Sequence, residues 1–413
     1  MKKVLAAALV ILLALAGALA AYVVVKRRQG RDIRGSSTVE FVTTEKIPAL
    51  PRALTTVQWP MYGFDSQRAR AVQAIGLRPP FRKLWVAGGN SLLEFPPVIG
   101  YRRLFYVNGG GTVYAVGAKN GGVAWRFRTG RCAAASPAVD SGSVFVALLN
   151  HPPCNATKVK DGEVVALSAG VGAVRWRTKI GPSESSPLVV DGLVYVGDWR
   201  GRMLALDAGS GNVRWSYQAG SRVKDAAAYS DGTVYFGSYD HHVYALDAKT
   251  GKLRWKANAQ PRLGHSGTFY STPTVAYGRV YIGSTDGKVY SFGAASGKLR
   301  WSQSTGGYVY ASPAVWKRRV LIGSYSKKFY ALDAATGDVI WSFKANGEIS
   351  GSPTVIGNLV YFATLKGRTY ALNAATGKQV WSFPDGKYSP VVADRDRLYL
   401  VGYAKLYGMV SRR

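Results

Sequence analysis

Tryptophan returns along this chain at a near-constant interval, and few folds satisfy such a period. Trp85, Trp125, Trp176, Trp215, Trp255, Trp301, Trp341 and Trp381 are separated by 40, 51, 39, 40, 46, 40 and 40 residues. A Ser-Pro or Thr-Pro step is a second marker, at Pro137, Pro187, Pro273, Pro313, Pro353 and Pro390, with Pro97 in Pro-Pro and Ala227 standing in once. From this step to the following tryptophan is 28 residues in six of seven repeats. Repeats of this length are units that bury their apolar faces by stacking on one another. Trp199 and Trp316 fall outside the register and are expected to matter less to stability.

Within one repeat the pattern reads as four short strands. In residues 271–301 these are Thr274 to Ala276, Val280 to Gly283, Lys288 to Phe292 and Lys298 to Trp301, with turns at Tyr277-Gly278, Ser284 to Gly287 and Ala295-Ser296-Gly297. A glycine closing each A-x-[TS]-G turn suits a hairpin that needs positive φ there. The 25 Tyr, 11 Trp and 14 Phe, with 48 Gly for turns, fit strands and not helices. Seven complete repeats end at Trp125 through Trp381. Residues 388–410 supply three more strands, and Phe81 to Val86 a lone fourth. Joined, the chain ends complete an eighth unit, so the expected fold is an all-β, eight-bladed β-propeller with four-stranded antiparallel blades. Closure removes the open sheet edges, and a monomer is expected.

Val4 to Val25 are 22 consecutive residues without a charge, enough to span a bilayer core of about 30 Å. Ala18-Leu19-Ala20 resembles a signal-peptidase site, but the apolar run continues past it, which favours an uncleaved transmembrane anchor. The expected organisation is an anchor helix (1–25), a polar basic linker acting as a tether (26–56), a lead-in segment (57–80) and the propeller (81–413). Lys26, Arg27, Arg28, Arg31 and Arg34 follow the apolar run and Lys2 and Lys3 precede it. That count alone would keep the propeller in the cytoplasm, although long domains translocate largely regardless of charge.

The net charge of +31 makes an anionic membrane or cell-surface component a plausible neighbour. No nucleic-acid-binding motif accompanies it. Ala245 to Trp255 (ALDAKTGKLRW), Ala331 to Trp341 and Ala371 to Trp381 resemble the tryptophan-docking motif of the pyrroloquinoline-quinone-like (PQQ-like) repeat family. Trp59-Pro60-Met61-Tyr62-Gly63-Phe64-Asp65 is similar to the segment that precedes the first blade in that family. The resemblance covers residues 81–413 and implies that each repeat tryptophan pins neighbouring blades together. It also implies one of two functions. Quinoprotein dehydrogenases of the family hold PQQ and calcium over the central channel, within long insertions. Compact propellers of the BamB type bind and scaffold envelope proteins. The short repeats and the lack of an adjacent cysteine pair depart from the dehydrogenases. No cysteine follows the apolar run to accept a lipid, which departs from the BamB-type lipoprotein. A non-catalytic scaffold without cofactor is expected, with the PQQ- and calcium-dependent dehydrogenase as the alternative.

Loops on a rigid scaffold are where binding resides. The 51-residue interval carries its extra residues between Leu148 and Asp161, and the 46-residue interval between Trp255 and Pro273; both fall on one face. The position three before each repeat proline should ring the channel mouth on that face: Glu94, Ala134, Glu184, Lys224, Tyr270, Tyr310, Ser350 and Lys387, with Asp225 beside Lys224. This is a polar and aromatic ligand mouth. A calcium shared by Glu184 and Asp225 would need six to eight oxygens, for which the ring is too mixed, so no metal is expected. His241-His242 occupies an ordinary turn, and His151 and His265 lack ligand spacing. Cys132 precedes the second blade and Cys154 lies in that blade's long loop, so repeat alignment puts both on one face of one blade and a disulfide is expected. That bond belongs in an oxidising compartment and, together with the usual location that the family resemblance implies, outweighs the flanking charges, so the propeller is expected outside the cytoplasmic membrane.

Overall fold

The computed structural model describes residues 2–43, 57–88, 91–154, 161–260, 267–389 and 391–412. Among them the strands form eight sheets, each built around four antiparallel strands, which in seven of the eight follow chain order from the channel outward. The fifth blade contains Thr274–Ala276, Arg279–Gly283, Lys288–Gly293 and Leu299–Ser304, so its last strand runs three residues past the tryptophan. The eighth sheet pairs Phe81–Gly88 with Lys405–Ser411 and continues through Leu398–Val401 to Val391–Ala393. The ring is therefore closed by the two ends of the chain, and the propeller has eight blades.

Each junction is built from the two residue types that mark the repeat. Gly297 has φ 67°, and a Cβ there would sit 2.7 Å from the Trp255 ring. The indole lies flat on this hairpin of the next blade, and its Nε1 donates to the Ala294 carbonyl at 2.9 Å. Trp316 departs from expectation: although out of register, it is buried and donates to the Gly357 carbonyl at 3.1 Å. A bulky ring on a first strand fills the space between two blades whatever the period of the repeat.

The Ser/Thr-Pro marker also has a physical role. The Ser312 amide donates to Ser352 Oγ at 2.8 Å, and the Thr272 amide to Ser312 Oγ at 3.0 Å. Hydroxyls before the prolines thus belt successive blades around the channel. Pro390 lies outside the described residues.

The lead-in segment does not stay outside the ring. Val57–Trp59 pairs with the innermost strand of blade one, and Ala71–Val72 runs parallel to Thr354–Ile356 of blade seven. Between them, carbonyls of Pro60, Ser66, Gln67, Ala69 and Arg70 accept the amides of Val139, Tyr229, Val275, Val315 and Val355 at 2.7–2.9 Å. These donors lie on the innermost strands of blades two, four, five, six and seven. Arg68, fully buried, bonds the carbonyls of Ala227, Ser186, Pro187 and Tyr62. The channel is plugged by the chain's own backbone.

One apolar helix, Lys2–Gln29, is long enough to cross a membrane. It extends four residues beyond the expected anchor. The following residues also differ from a free tether. Ile33 forms an antiparallel bridge with Ser302, Glu40 accepts Arg300 (2.6 and 2.8 Å) and Ser296 (2.9 Å), and Phe41 stacks on Tyr277 at 5.2 Å. This segment covers the outer strand of blade five, which is why Trp301 is fully buried while Trp255 and Trp341 are half-buried. Residues 44–56 of the linker lie outside the described residues.

Candidate binding face at the channel mouth

The segments that lead into the first strands, and the turns between second and third strands, gather on one face as expected. There Glu94, Asp225, Tyr270, Tyr310 and Ser350 line a cavity of about 60 Å³, whose floor is Tyr62 of the lead-in. The Tyr62 hydroxyl bonds Ser352 at 2.8 Å, and the Arg70 guanidinium lies 4.0 Å under its ring. Glu184 and Lys224 stand beside the cavity, paired at 3.0 Å. Lys387 is separate, over the rings of Tyr388 and Tyr403 at 5.5 and 4.8 Å.

Lys224 is enclosed by aromatic rings. Its ammonium sits 4.7 Å from the Trp199 ring, 5.7 Å from Tyr239 and 5.6 Å from Tyr270, an attractive arrangement between a cation and ring quadrupoles. The aromatic series continues from Tyr239 to Tyr270 (6.1 Å), Tyr310 (5.4 Å) and Tyr325 (5.0 Å), with Tyr308 packed on Tyr310 at 5.9 Å. Burial and the nearby carboxylates push the Tyr270 phenol well above its ordinary range, so these rings act as neutral amphipathic surfaces.

Asp225 compensates for a gap in the serine belt. Ala226 replaces the hydroxyl residue of the repeat, and the Asp225 carboxylate takes the bond from Thr272 Oγ1 instead, together with the Ala226 amide at 2.7 Å. Burial pushes its carboxyl up to about 6, opposed by those hydrogen bonds and by the charges of Arg70 and Arg68. Glu94 is raised as well, by burial and by Glu184, with Lys224 acting the other way.

Sequence reasoning missed the plug residues Tyr62, Arg68 and Arg70 and the cage residues Trp199 and Tyr239. The cage had a readable signal. Trp199, Tyr239, Tyr325 and Tyr403 occupy one repeat position, two residues after the second strand's glycine or after its equivalent. Cys132 and Cys154 form a disulfide with a Cα separation of 5.6 Å. It fastens the long loop of blade two beside the mouth. Residues 155–160 and 261–266, the centres of the two long loops, lie outside the described residues, and His265 with them. His241 occupies the expected turn, bonded to the Gly267 carbonyl, whereas His242 opens the third strand of blade four and bonds Asp240.

The mouth does not fit PQQ and calcium. Sites for ligands of that size enclose about 300–1,000 Å³, against about 60 Å³ here. Asp225 is engaged by Thr272 and Glu184 by Lys224, and no group of three His, Cys, Asp or Glu among the described residues converges to hold a cation.

A family model described as outer membrane protein assembly factor BamB matches residues 82–151, 160–312 and 285–409. No curated protein matches the sequence. Solved structures share the fold at low identity. BamB from Moraxella catarrhalis is 19% identical with a TM-score of 0.65, the match covering 81% of this chain and 99% of that one. Quinohemoprotein alcohol dehydrogenase from Comamonas testosteroni is 15% identical with a TM-score of 0.72, covering 86% and 81%. A europium-containing methanol dehydrogenase is 14% identical with a TM-score of 0.73, covering 86% and 98%. Such likeness fixes architecture and leaves function to the site.

Proposed function

This chain belongs to the family of the outer membrane protein assembly factor BamB, and from that premise we propose that it is a membrane-anchored, non-catalytic binding propeller, monomeric, whose mouth face takes a protein partner of the cell envelope. The observation that carries this reading is the plugged channel. With the cavity over the channel reduced to about 60 Å³, the channel mouth itself offers a surface and not an enclosed pocket. That surface is rich in tyrosine and tryptophan, which are enriched in protein-binding patches. Tyr308 and Tyr403 are about half exposed, at 47% and 52%.

The anchor is the helix Lys2–Gln29, and the disulfide supports an oxidising compartment for the propeller. An anionic neighbour suits the outer wall. The outermost strands of seven of the eight blades carry arginine or lysine, and none of the eight carries an aspartate or glutamate. Lysine and arginine there also protect exposed strand edges from pairing.

A photo-crosslinking residue placed at Tyr308 or Tyr403 in cells should capture one discrete protein, and the same residue at Val123 on the outer wall should not. Equal capture from wall and mouth would overturn the assignment of the face. Dye-linked oxidation of an alcohol after addition of PQQ and Ca²⁺ would overturn the non-catalytic reading. Thiol labelling of protein from native membranes should find no reactive thiol before reduction and two after it; two before reduction would remove the argument for an oxidising compartment.

A further inference from the structure

The anchor helix is latched to the propeller. Buried Gln260 donates through Nε2 to the carbonyls of Gln29 and Arg31, both at 3.0 Å. Its Oε1 accepts Lys288 Nζ at 3.0 Å and Ser302 Oγ at 2.6 Å, and Lys288 Nζ also meets Asp32 at 3.0 Å. The amide is thus committed on both sides, and the helix end has one seat on blade five. The end of the helix stands beside the mouth face, since Lys26, Arg27 and Gly30 share a cleft with Tyr308 and Tyr325 of that face, whereas residues 33–42 run the other way, down the wall to Tyr277. A bilayer around the helix therefore lies on the mouth side.

Between the end of the helix and the face is a cleft of about 850 Å³, lined by Lys26 and Arg27 from the helix and by Lys288, Tyr308, Tyr325 and Glu348 among others from the blades. This is the size of a built ligand site. Its blade charges are already answered: Lys288 by Asp32, and Glu348 by Lys327 at 3.4 Å. Asp286, also in the lining, accepts the Lys288 amide at 3.0 Å and the Tyr290 hydroxyl. Lys26 and Arg27 have no carboxylate partner among the described residues. They stand where the apolar run ends, the depth at which phosphate headgroups lie, and Tyr308 and Tyr325 are the amphipathic rings that favour the same depth.

We propose that this cleft binds the headgroup of an anionic phospholipid, its phosphate held by Lys26 and Arg27 and its glycerol region against Tyr308. The inference rests on the reading of the helix as a membrane anchor. The test uses the full chain in nanodiscs of phosphatidylcholine containing a minority of phosphatidylglycerol. The lipid retained after transfer to detergent is counted by native mass spectrometry. The wild type should keep phosphatidylglycerol over phosphatidylcholine. K26Q/R27Q should lose that preference by about tenfold or more, each basic group at a membrane surface being worth roughly fivefold. Tyr308→Ala should weaken it, and K2Q/K3Q, which removes two charges from the other end of the helix, should not. Unchanged retention in K26Q/R27Q or in Tyr308→Ala, or equal loss in K2Q/K3Q, would overturn the cleft as the site. Displacement by soluble glycerol phosphate would overturn the lipid as its source. A chain that does not enter nanodiscs at all would overturn the anchor reading, and the inference with it. An inserted chain without lipid preference would overturn the inference alone.

Discussion

Seven blade junctions are alike, and the eighth is not. At the seven, the tryptophan Nε1 donates to an alanine carbonyl of the next blade at 2.9–3.3 Å, over a glycine whose Cβ would meet the ring at 2.6–2.8 Å. Between blades seven and eight no such hairpin exists, because the third and fourth strands of blade eight are the two ends of the chain. Trp381 meets Phe81 edge-on at 5.3 Å instead. The tyrosines behind the tryptophans feel the same difference. Tyr195, Tyr235, Tyr281 and Tyr399 each donate to an alanine carbonyl across the junction. The hydroxyl of Tyr361, facing blade eight, is buried without a hydrogen-bond partner among the described residues. A closed ring assembled from one chain concentrates its imperfections at the seam.

The largest test of that contrast removes the seam strand. A chain starting at residue 90 loses the strand Phe81–Gly88, seven paired residues of blade eight and the channel plug, and exposes a sheet edge. It should give no folded monomer by size exclusion and circular dichroism; an unchanged melting temperature would break the closure. Next, Trp301→Ala should cost about 3–5 kcal/mol in urea unfolding, as large aromatic truncations in packed sites do. Trp381→Ala should cost about half of that. Equal losses would erase the distinction between seam and junction. Third, Gly337→Ala combines positive φ (80°) with a Cβ 2.7 Å from the Trp301 ring, whereas Gly192→Ala has positive φ (75°) and open space. The expected costs are about 2–3 kcal/mol and about 1 kcal/mol.

Two smaller effects sharpen the picture. Asp225 lies at the channel mouth, away from the tryptophan junctions, with its carboxyl raised to about 6 from 3.8. Its protonated form is favoured by folding, so its contribution is complete below about pH 4 and is lost as pH rises through about 6. Asp225→Asn should flatten that part of the pH–stability curve, while Trp381→Ala leaves it unchanged. Last, Tyr281→Phe should cost about 1 kcal/mol, the worth of a typical hydrogen bond. Tyr361→Phe should be neutral or slightly stabilising, since it relieves an orphaned hydroxyl. A loss at Tyr361 equal to that at Tyr281 would show that the seam is as well bonded as the rest.

The ring was legible because its junctions use side chains with no substitute. A flat indole and a glycine at positive φ recur wherever two blades meet, so their spacing reports the blades directly. The plug was illegible for the opposite reason: Pro60, Ser66, Gln67, Ala69 and Arg70 serve the blades through their carbonyls, which every residue possesses. The seat of the linker on blade five was hidden similarly. Glu40, Asp32 and Gln260 are single polar residues whose partners lie about 230–270 positions away, and no periodicity announces them. At the mouth, the position three before the repeat proline holds Glu94, Tyr270 and Tyr310, which line the cavity together with Asp225, the neighbour of Lys224. It could not show that Lys224 would turn aside into an aromatic cage, because Trp199 and Tyr239 come from two other loops.

The strand-like plug has one more consequence. Repeat proteins whose units touch only their neighbours can lose a unit at a time, their stability being close to a sum over units and interfaces. Here one short segment accepts hydrogen bonds from five blades, and each of those blades would leave a buried amide unsatisfied without it. Opening any of the five disturbs an acceptor line shared with the other four. The propeller should therefore unfold as one cooperative unit, with amide exchange on its innermost strands expected to follow a single global free energy and not a gradient from seam to far side.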